Sequence, residues 1–315
     1  MPYTVIDTHI NVASDKLVPE KFLYDQAVNL QNKMQALGDR IEINKLLDKL
    51  KSYYQDHNGD HLVSEMGHSG IHQGILIAPD FSYLYPSVLT PEESIELHEK
   101  ICARYPGRFH VFAGIDPRYG SDGITLFHNK VKSGSVHGLK VYPLCGFSPS
   151  DKRLFPYYEI CEAYGLPVLS HSGPGWQDLN YSFGNPVLID EAARCFRGVN
   201  FILGHGAIYN FHESSYLAVY RENVYLDCSG FANLGSNSLW ISHLKNTFKC
   251  GFNHKILFGT SWPAYKMTLS NKRIMDIMFS EDGPLTELKE KEVGMIMGKN
   301  LLRILSVSDK GEQNG

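Results

Sequence analysis

Short apolar runs recur along the chain, separated by intervals long enough for a helix. They are Thr4–Thr8, Gln73–Ala78, Phe109–Ile115, Gly138–Tyr142, Pro167–Ser170, Asn200–Gly204, Asn223–Asp227 and Lys255–Gly259. The runs are rich in Val, Ile, Leu and Phe and mostly lack polar alternation. Continuous apolar strands suit a parallel sheet covered on both faces, because each strand then buries both rows of its side chains. The intervals carry helix signals. Thr90 stands as an N-cap before Pro91, with Glu93 at the third helical position, which predicts a capped helix over Pro91–Tyr105. Leu154–Tyr164 ends at Gly165, placed to release the chain in a left-handed conformation. Asn185–Phe196 and Ser238–Phe248 are helix candidates of the same kind.

Eight β/α repeats in about one barrel's length of chain predict an α/β fold, a single (β/α)8 TIM barrel over residues 1–305. The first interval is the longest. Residues 19–66 read as a helical insertion after strand 1, with Leu30, Met34, Leu37 and Ile41 at heptad-like spacing. It falls on the face where a TIM barrel carries its active site. There it is placed to cap the pocket or to contact a second copy, so a homodimer stands as an open expectation. Residues 306–315 are polar and read as a flexible tail.

Composition changes this picture little. The chain has 315 residues, 43% hydrophobic and 20% charged, which is ordinary for a globular protein with a sizeable core. Its 30 basic and 34 acidic residues give a net charge of -4, with no basic stripe for nucleic acid and no polybasic run for an anionic membrane. No apolar run is long enough to span a bilayer, and the amino terminus lacks the pattern of a secretory signal. The six cysteines are irregularly spaced and form no C-x-x-C pair. They read as small buried residues of a cytoplasmic protein.

In a TIM barrel the chemistry sits at the carboxyl ends of the strands. His9, His171 and His205 follow strands 1, 5 and 6. Lys140 lies in strand 4, Asp227 closes strand 7, and Ser261 follows strand 8. Polar groups at so many strand ends converge on one pocket. An imidazole titrates near working pH, so His205 is the candidate to move a proton, with His171 as its partner or as a donor to the substrate. Lys140 offers a point charge for a carboxylate or enolate, or else a strand-interior partner for Asp227. Arg118, after strand 3, offers a clamp for an acidic substrate or else a surface ion pair. Tyr142, Phe147, Trp176 and Trp262 are candidate pocket walls. A Ser261–His205 nucleophile–base pair is a further alternative, though no orienting carboxylate is evident for it. His57/His61 and His68/His72 stand four apart, but glycines surround them and no H-E-x-x-H is present, so they read as solvated or turn histidines.

The motifs together resemble the amidohydrolase superfamily, and within it the amidohydrolase-related branch that includes the aminocarboxymuconate-semialdehyde-decarboxylase-like enzymes. The carriers are Ile6–Asp7–Thr8–His9, Ala113–Gly114–Ile115–Asp116–Pro117–Arg118 and Gly138–Leu139–Lys140–Val141–Tyr142–Pro143. They continue with Val168–Leu169–Ser170–His171–Ser172–Gly173, Leu203–Gly204–His205–Gly206, Ile256–Leu257–Phe258–Gly259–Thr260–Ser261–Trp262–Pro263 and Met297–Gly298–Lys299–Asn300–Leu301–Leu302–Arg303. The resemblance implies a divalent metal, usually zinc, held by two histidines after strand 1, one after strand 5 and often an aspartate after strand 8. His9 and His171 match two of these ligands, and His205 matches the strand-6 histidine that assists proton transfer. Two positions depart: Asn11 stands for the second histidine and Ser261 for the aspartate. Zinc takes nitrogen, sulfur or carboxylate ligands, whereas an amide oxygen suits harder cations. The expectation is therefore a single divalent metal (zinc), held weakly or absent.

The expected function is hydrolysis or decarboxylation of a small carboxylate-bearing or cyclic substrate. His205, His171 and Lys140 would be catalytic. Arg118, Tyr142, Trp262, Ser261 and Asn11 would bind substrate, and His9 and His171 would hold any metal. A metal-independent lactonase, isomerase or cyclase is the first alternative. A non-catalytic barrel that binds a ligand or partner is the second.

Overall fold

The computed structural model describes residues 3–305, apart from 235, 265, 267 and 268. The sequence-predicted tail at 306–315 lies outside the described residues. Eight parallel strands pair in chain order. They are β1 (Ile6–Asn11), β2 (Gln73–Ala78), β3 (Phe109–Gly114), β4 (Gly138–Val141), β5 (Val168–His171), β6 (Phe201–Gly204), β7 (Val224–Asp227) and β8 (Ile256–Leu257). The ends meet where Thr8 N donates to Phe258 O at 2.9 Å and Ile10 bridges Trp262 in parallel. This is the (β/α)8 TIM barrel that the apolar runs predict.

The runs are apolar throughout because each strand feeds two cores. Val111, Ala113, Leu139, Val141, Val168, Leu203 and Leu226 face the helices. Ile6, Ile75, Ile77, Phe112, Leu169, Ile202, Tyr225 and Leu257 form a second cluster inside the barrel, joined by Leu301, Ile304 and Leu305 of the last helix. β4 gives this inner cluster nothing. Side chains alternate faces along a strand, so opposite Leu139 and Val141 its inward positions are Gly138 and Lys140. The Phe112 ring fills the space at Gly138, where a Cβ would come within 2.6 Å of it. Lys140 is left as the inward side chain of β4.

β1 breaks the alternation. Its pairing with β2 shifts between Asp7 and Ile10. Ile6 belongs to the inner cluster and Ile10 to the outer one, so the shift reverses the faces. His9 and Asn11 thereby turn to the cavity described below. The sequence reading ended this strand at Thr8. Pairing carries it to Asn11, so His9 lies within the strand rather than after it.

The insertion forms three helices, α1 (Glu20–Ala36), α2 (Ile43–Ser52) and α3 (Asp60–Ser69). Leu30, Met34 and Ile41 pack on Ala27, Leu46 and Leu50, as their spacing suggests. Leu37 does not. It is 73% exposed, because α1 ends there and Gly38 turns the chain at φ 94°. The helix Pro91–Arg104 (α4) starts with the expected capping box between Thr90 and Glu93. Asn185–Phe196 is not one helix. A 3-10 segment, Pro186–Ile189, runs into Asp190–Cys195. His57 lies in a turn and His72 is exposed, as the sequence reading has them, and each is also tethered: His57 Nδ1 lies 2.8 Å from Ser14 Oγ, and Val5 N donates to His72 Nδ1 at 3.0 Å. The cysteines are free, but Cys195 and Cys250 are exposed rather than buried. Among the described residues no helix is long and apolar enough to cross a membrane.

Candidate active site

The strand ends open into a cavity of about 520 Å³, within the ordinary range for a small-molecule site. His9, Asn11, Lys140, His171, His205 and Ser261 supply its polar groups. Phe22, Tyr54, Phe81, Tyr142, Trp176 and Tyr209 supply aromatic walls. Leu17, Val18, Phe22 and Gln26 reach it from α1 and the segment before it, so the insertion covers part of the pocket.

Three imidazoles meet here. The His205 ring packs against both of the others, with centroids 4.4 Å from His9 and 5.0 Å from His171. Each ring has one nitrogen fixed by a group that can only accept. His9 Nδ1 donates to Asp227 Oδ2 at 2.7 Å. His205 Nδ1 donates to Ser229, 3.1 Å from its carbonyl oxygen and 2.9 Å from Oγ. His171 Nε2 donates to Pro174 O at 3.2 Å. In the neutral form the remaining nitrogens, His9 Nε2, His171 Nδ1 and His205 Nε2, carry lone pairs. Neutral is the resting form. Burial pushes the His205 imidazole down to about 3, helped by the neighbouring His9, and pushes His171 well below the usual range. Burial lowers His9 as well, against the attraction of Asp227.

Asp227 holds this arrangement. Its Oδ1 accepts from Ser229 N at 2.8 Å, and its Oδ2 accepts from His9 Nδ1, Ser229 Oγ and His205 N. Burial works to raise the carboxyl, but His9 and these hydrogen bonds outweigh it and keep Asp227 ionised. Gly259 makes room for it, since a Cβ there would come within 2.6 Å of Asp227 Oδ1. The ion pair with Asp227, the alternative role for Lys140, is not made, because the carboxylate is occupied by these partners. Lys140 Nζ is buried without a hydrogen-bond partner. Burial pushes its ammonium down to about 7, against the pull of Asp227. Ser261 Oγ is likewise buried and unpartnered. His205 and Ser261 both adopt left-handed backbone, φ 65° and φ 58°. Such positions cost roughly 1–3 kcal/mol each and concentrate at functional sites.

The other candidates divide. Asn11 lines the cavity, and its Nδ2 donates to Trp262 O at 3.4 Å. The Tyr142 ring packs against His171, centroids 4.5 Å apart. Trp262 is not among the lining residues. It is buried beside β1, with its ring 6.5 Å from that of His61. Phe147 sits in the outer core. Arg118 also stays out of the cavity. Its Nε and Nη2 grip both Asp116 oxygens at 2.8 and 2.6 Å, and its guanidinium covers the Tyr83 ring at 4.0 Å. A nearer carboxylate has taken the group assigned to substrate. Sequence reasoning missed Ser229 and, for Asp227, offered only Lys140 as an alternative partner. The one available signal was that Asp227 shares the inward parity of Tyr225.

His9, His205 and Asp227 bring ligand atoms within 4.8 Å of one another, close enough to hold a metal ion. His171 is not in that group. The donor chemistry departs from the pattern that the resemblance implies. Asp227 is held by His9, Ser229 and His205, Asn11 offers an amide and Ser261 a hydroxyl, and the unpartnered Lys140 amine brings a competing positive charge. These residues do not fit a centre of two strand-1 histidines, a strand-5 histidine and a strand-8 aspartate.

Residues 80–306 match the sequence model of the amidohydrolase family. No curated protein sequence matches the chain. Several solved structures share the fold. A 2,6-dihydroxybenzoate decarboxylase in complex with 2,6-dihydroxybenzoate is 17% identical, with 96% of this chain and 99% of that one covered at a TM-score of 0.63. A 5-carboxyvanillate decarboxylase from Novosphingobium aromaticivorans, with bound manganese and 3-methoxy-4-hydroxy-5-nitrobenzoic acid, is 12% identical, with 97% of each chain covered at 0.64. A 4-oxalomesaconate hydratase from Rhodopseudomonas palustris is 14% identical, with 98% of each chain covered at 0.61. At these identities the likeness is one of fold. The match that spans residues 80–306 carries more: the chain belongs to the amidohydrolase family of enzymes.

Proposed function

We propose that this enzyme hydrolyses a small, ring-bearing carboxylate, with the water activated by an imidazole of the cavity. The observation that carries the reading is the set of three neutral histidines, each with one nitrogen fixed as a donor and the other left as a base. Hydrolysis needs a base for water, and this set supplies one. His205 is the base of choice because its ring packs against both of the others and is backed by Ser229 and Asp227. When His205 takes a proton, Asp227 compensates the new charge through Ser229 Oγ. Its resting basicity is low because burial disfavours the cation. A substrate carboxylate beside it raises that basicity by adding a negative charge.

Lys140 and Ser261 do the binding. Each brings a buried polar atom without a partner to the cavity. A carboxylate or a developing oxyanion satisfies both. Tyr142, Phe81 and Trp176 suit a flat ring. Decarboxylation is the second reading, favoured by the aromatic acids named for two of the similar structures. It asks for a proton on carbon rather than for a base, and Lys140 is then the donor.

A panel of hydroxybenzoates, aryl esters and pyrone carboxylates, assayed in ¹⁸O-labelled water, separates the two. Hydrolysis places the label in the product acid. Decarboxylation releases carbon dioxide and leaves the product without the label. A His205→Ala variant should lose roughly 10²–10⁴-fold in turnover, the usual worth of a general base. Turnover undiminished in that variant would remove His205 from the chemistry.

A further inference from the structure

We propose that Lys140 is also a covalent site, whose amine condenses with the aldehyde or ketone group of a small ring-bearing ligand to form an imine. This is a different activity from hydrolysis and uses the nitrogen as a nucleophile rather than as a charge. The placement is specific. Lys140 is the one inward side chain of β4, 1% exposed, at the edge of a cavity of about 520 Å³. Its Nζ has no hydrogen-bond partner. The nearest ionised acid of the site, Asp227, is taken up by His9, Ser229 and His205. An amine on a protein surface is silenced by protonation and solvation. This one has no carboxylate to hold its proton and is almost wholly withdrawn from the surface, so its lone pair is available. Burial works in the same direction on its titration.

The step balances without a further reactant. The Nζ lone pair attacks the carbonyl carbon and the π pair moves to oxygen. A neutral imidazole of the cavity, His171 or His205, carries the proton from nitrogen to that oxygen, giving a carbinolamine. The nitrogen pair then expels the hydroxyl, the same imidazole relays the remaining N–H proton to it, and it leaves as water. Carbonyl plus amine becomes imine plus water, and nothing is oxidised or reduced. The ring of the ligand is left near Tyr142, whose own ring centroid lies 5.7 Å from Nζ.

The test uses 2-carboxybenzaldehyde as probe with sodium cyanoborohydride, on the full-length protein, read by intact mass and peptide mapping. Reduction traps the imine as a mass gain of the probe less one oxygen atom. The expected result is one such adduct, mapped to Lys140, and its loss in Lys140→Met. Adducts confined to exposed lysines, an adduct level unchanged in Lys140→Met, or no adduct would each overturn the proposal. Mapping on the native chain decides the matter even where the variant folds poorly. Because the readout is a covalent mass, it stands apart from whether any ester or lactone is turned over.

Discussion

His9 Nδ1 lies 2.7 Å from Asp227 Oδ2, and the same oxygen accepts from Ser229 Oγ, which in turn lies 2.9 Å from His205 Nδ1. One carboxylate thus sets the tautomers of two imidazoles, one directly and one through a hydroxyl. Both rings are buried with their Nδ1 atoms turned to these partners, so the partners decide which nitrogen carries the proton. The arrangement makes Asp227 a positioning residue with the reach of two.

Asp227→Asn tests this. An amide keeps the shape but brings two donors to a place that has only donors around it. One of its neighbours must then lose its bond or turn over. Turnover should fall by about 10²–10⁴-fold, comparable with the loss seen when a tautomer-setting aspartate is removed elsewhere. The Michaelis constant should move little, because Asp227 itself does not line the cavity. A loss confined to the Michaelis constant would place Asp227 in binding instead. Ser229→Ala should give a smaller loss, since it breaks only the path to His205.

Lys140→Met should stabilise the fold. A buried, unsatisfied polar group costs roughly 1–3 kcal/mol, and methionine fills similar space without it. The gain depends on pH in a definite direction. The folded ammonium titrates at about 7, below its ordinary 10.5. Below pH 7 both the folded and unfolded chains carry the proton and the burial cost is complete. Between pH 7 and 10.5 the folded chain has released the proton while the unfolded one still holds it, so the native protein gains stability as pH rises. Urea midpoints should therefore show the largest advantage of the variant at or below pH 7, shrinking towards pH 10. Destabilisation at pH 7 would mean that Nζ has a partner.

The strand ends were legible in the sequence because a barrel strand buries both faces, and a run of Val, Ile and Leu ending on a polar residue marks where it stops. His171, His205 and Lys140 follow from that alone. β1 was read two or three residues short because the shift at Asp7 and Ile10 changes which side chains face inward, and no run of apolar residues encodes it. Arg118 takes the ion pair that stood as its alternative, and Trp262 lies outside the cavity lining, for a related reason. Type and position suggested a pocket, but Asp116 two residues away and the seam with β1 claimed them first. Ser229 was invisible because its role depends on a hydrogen bond to a carboxylate whose partners only the fold assembles.

Acid should weaken the fold through its buried histidines, against an opposing contribution from Asp7, whose carboxyl burial pushes up to about 7 from 3.8 so that the folded chain takes up that proton first. Burial pushes His205 down to about 3 and His98 down to about 4, from an ordinary value of 6.5. As pH falls below 6.5 the unfolded chain takes up protons that the folded chain refuses. Stability present above 6.5 is thus lost progressively down to the folded values. Each such group contributes a slope of about 1.4 kcal/mol per pH unit in the middle of the window. Asp7 offsets about one such group below pH 7, so urea midpoints measured from pH 8 to 4 should show the net fall left by the histidines in excess of it, and His205→Gln should remove about one proton's worth of that slope. A midpoint flat to pH 4 would mean that these rings are already charged in the folded protein.

Metal affinity should be restorable by two substitutions. The site keeps a His9–His205–Asp227 group within 4.8 Å, but Asp227 is engaged by its own donors, and Asn11 and Ser261 stand at cavity positions where the resemblance implies histidine and aspartate. Asn11 is on the inward face of β1 only because of the shift after Asp7, so a histidine there shares the cavity with His9. Ser261 Oγ has no partner to lose. Asn11→His with Ser261→Asp adds one imidazole and one carboxylate to His9 and His171, giving the four ligands that the resemblance implies, with a negative charge to offset the ion. After incubation with zinc and exhaustive dialysis, elemental analysis should find well under one equivalent in the native chain and about one in the double variant. The carboxylate also gives Lys140 a partner, so the double variant should react less readily with amine reagents. One equivalent held by the native chain would show that an amide and a hydroxyl suffice, and metal-activated water would then replace His205 as the source of the nucleophile. No metal in the double variant would mean that the Lys140 charge, rather than the missing ligands, keeps the ion out, and Lys140→Met in that background would be expected to let it in.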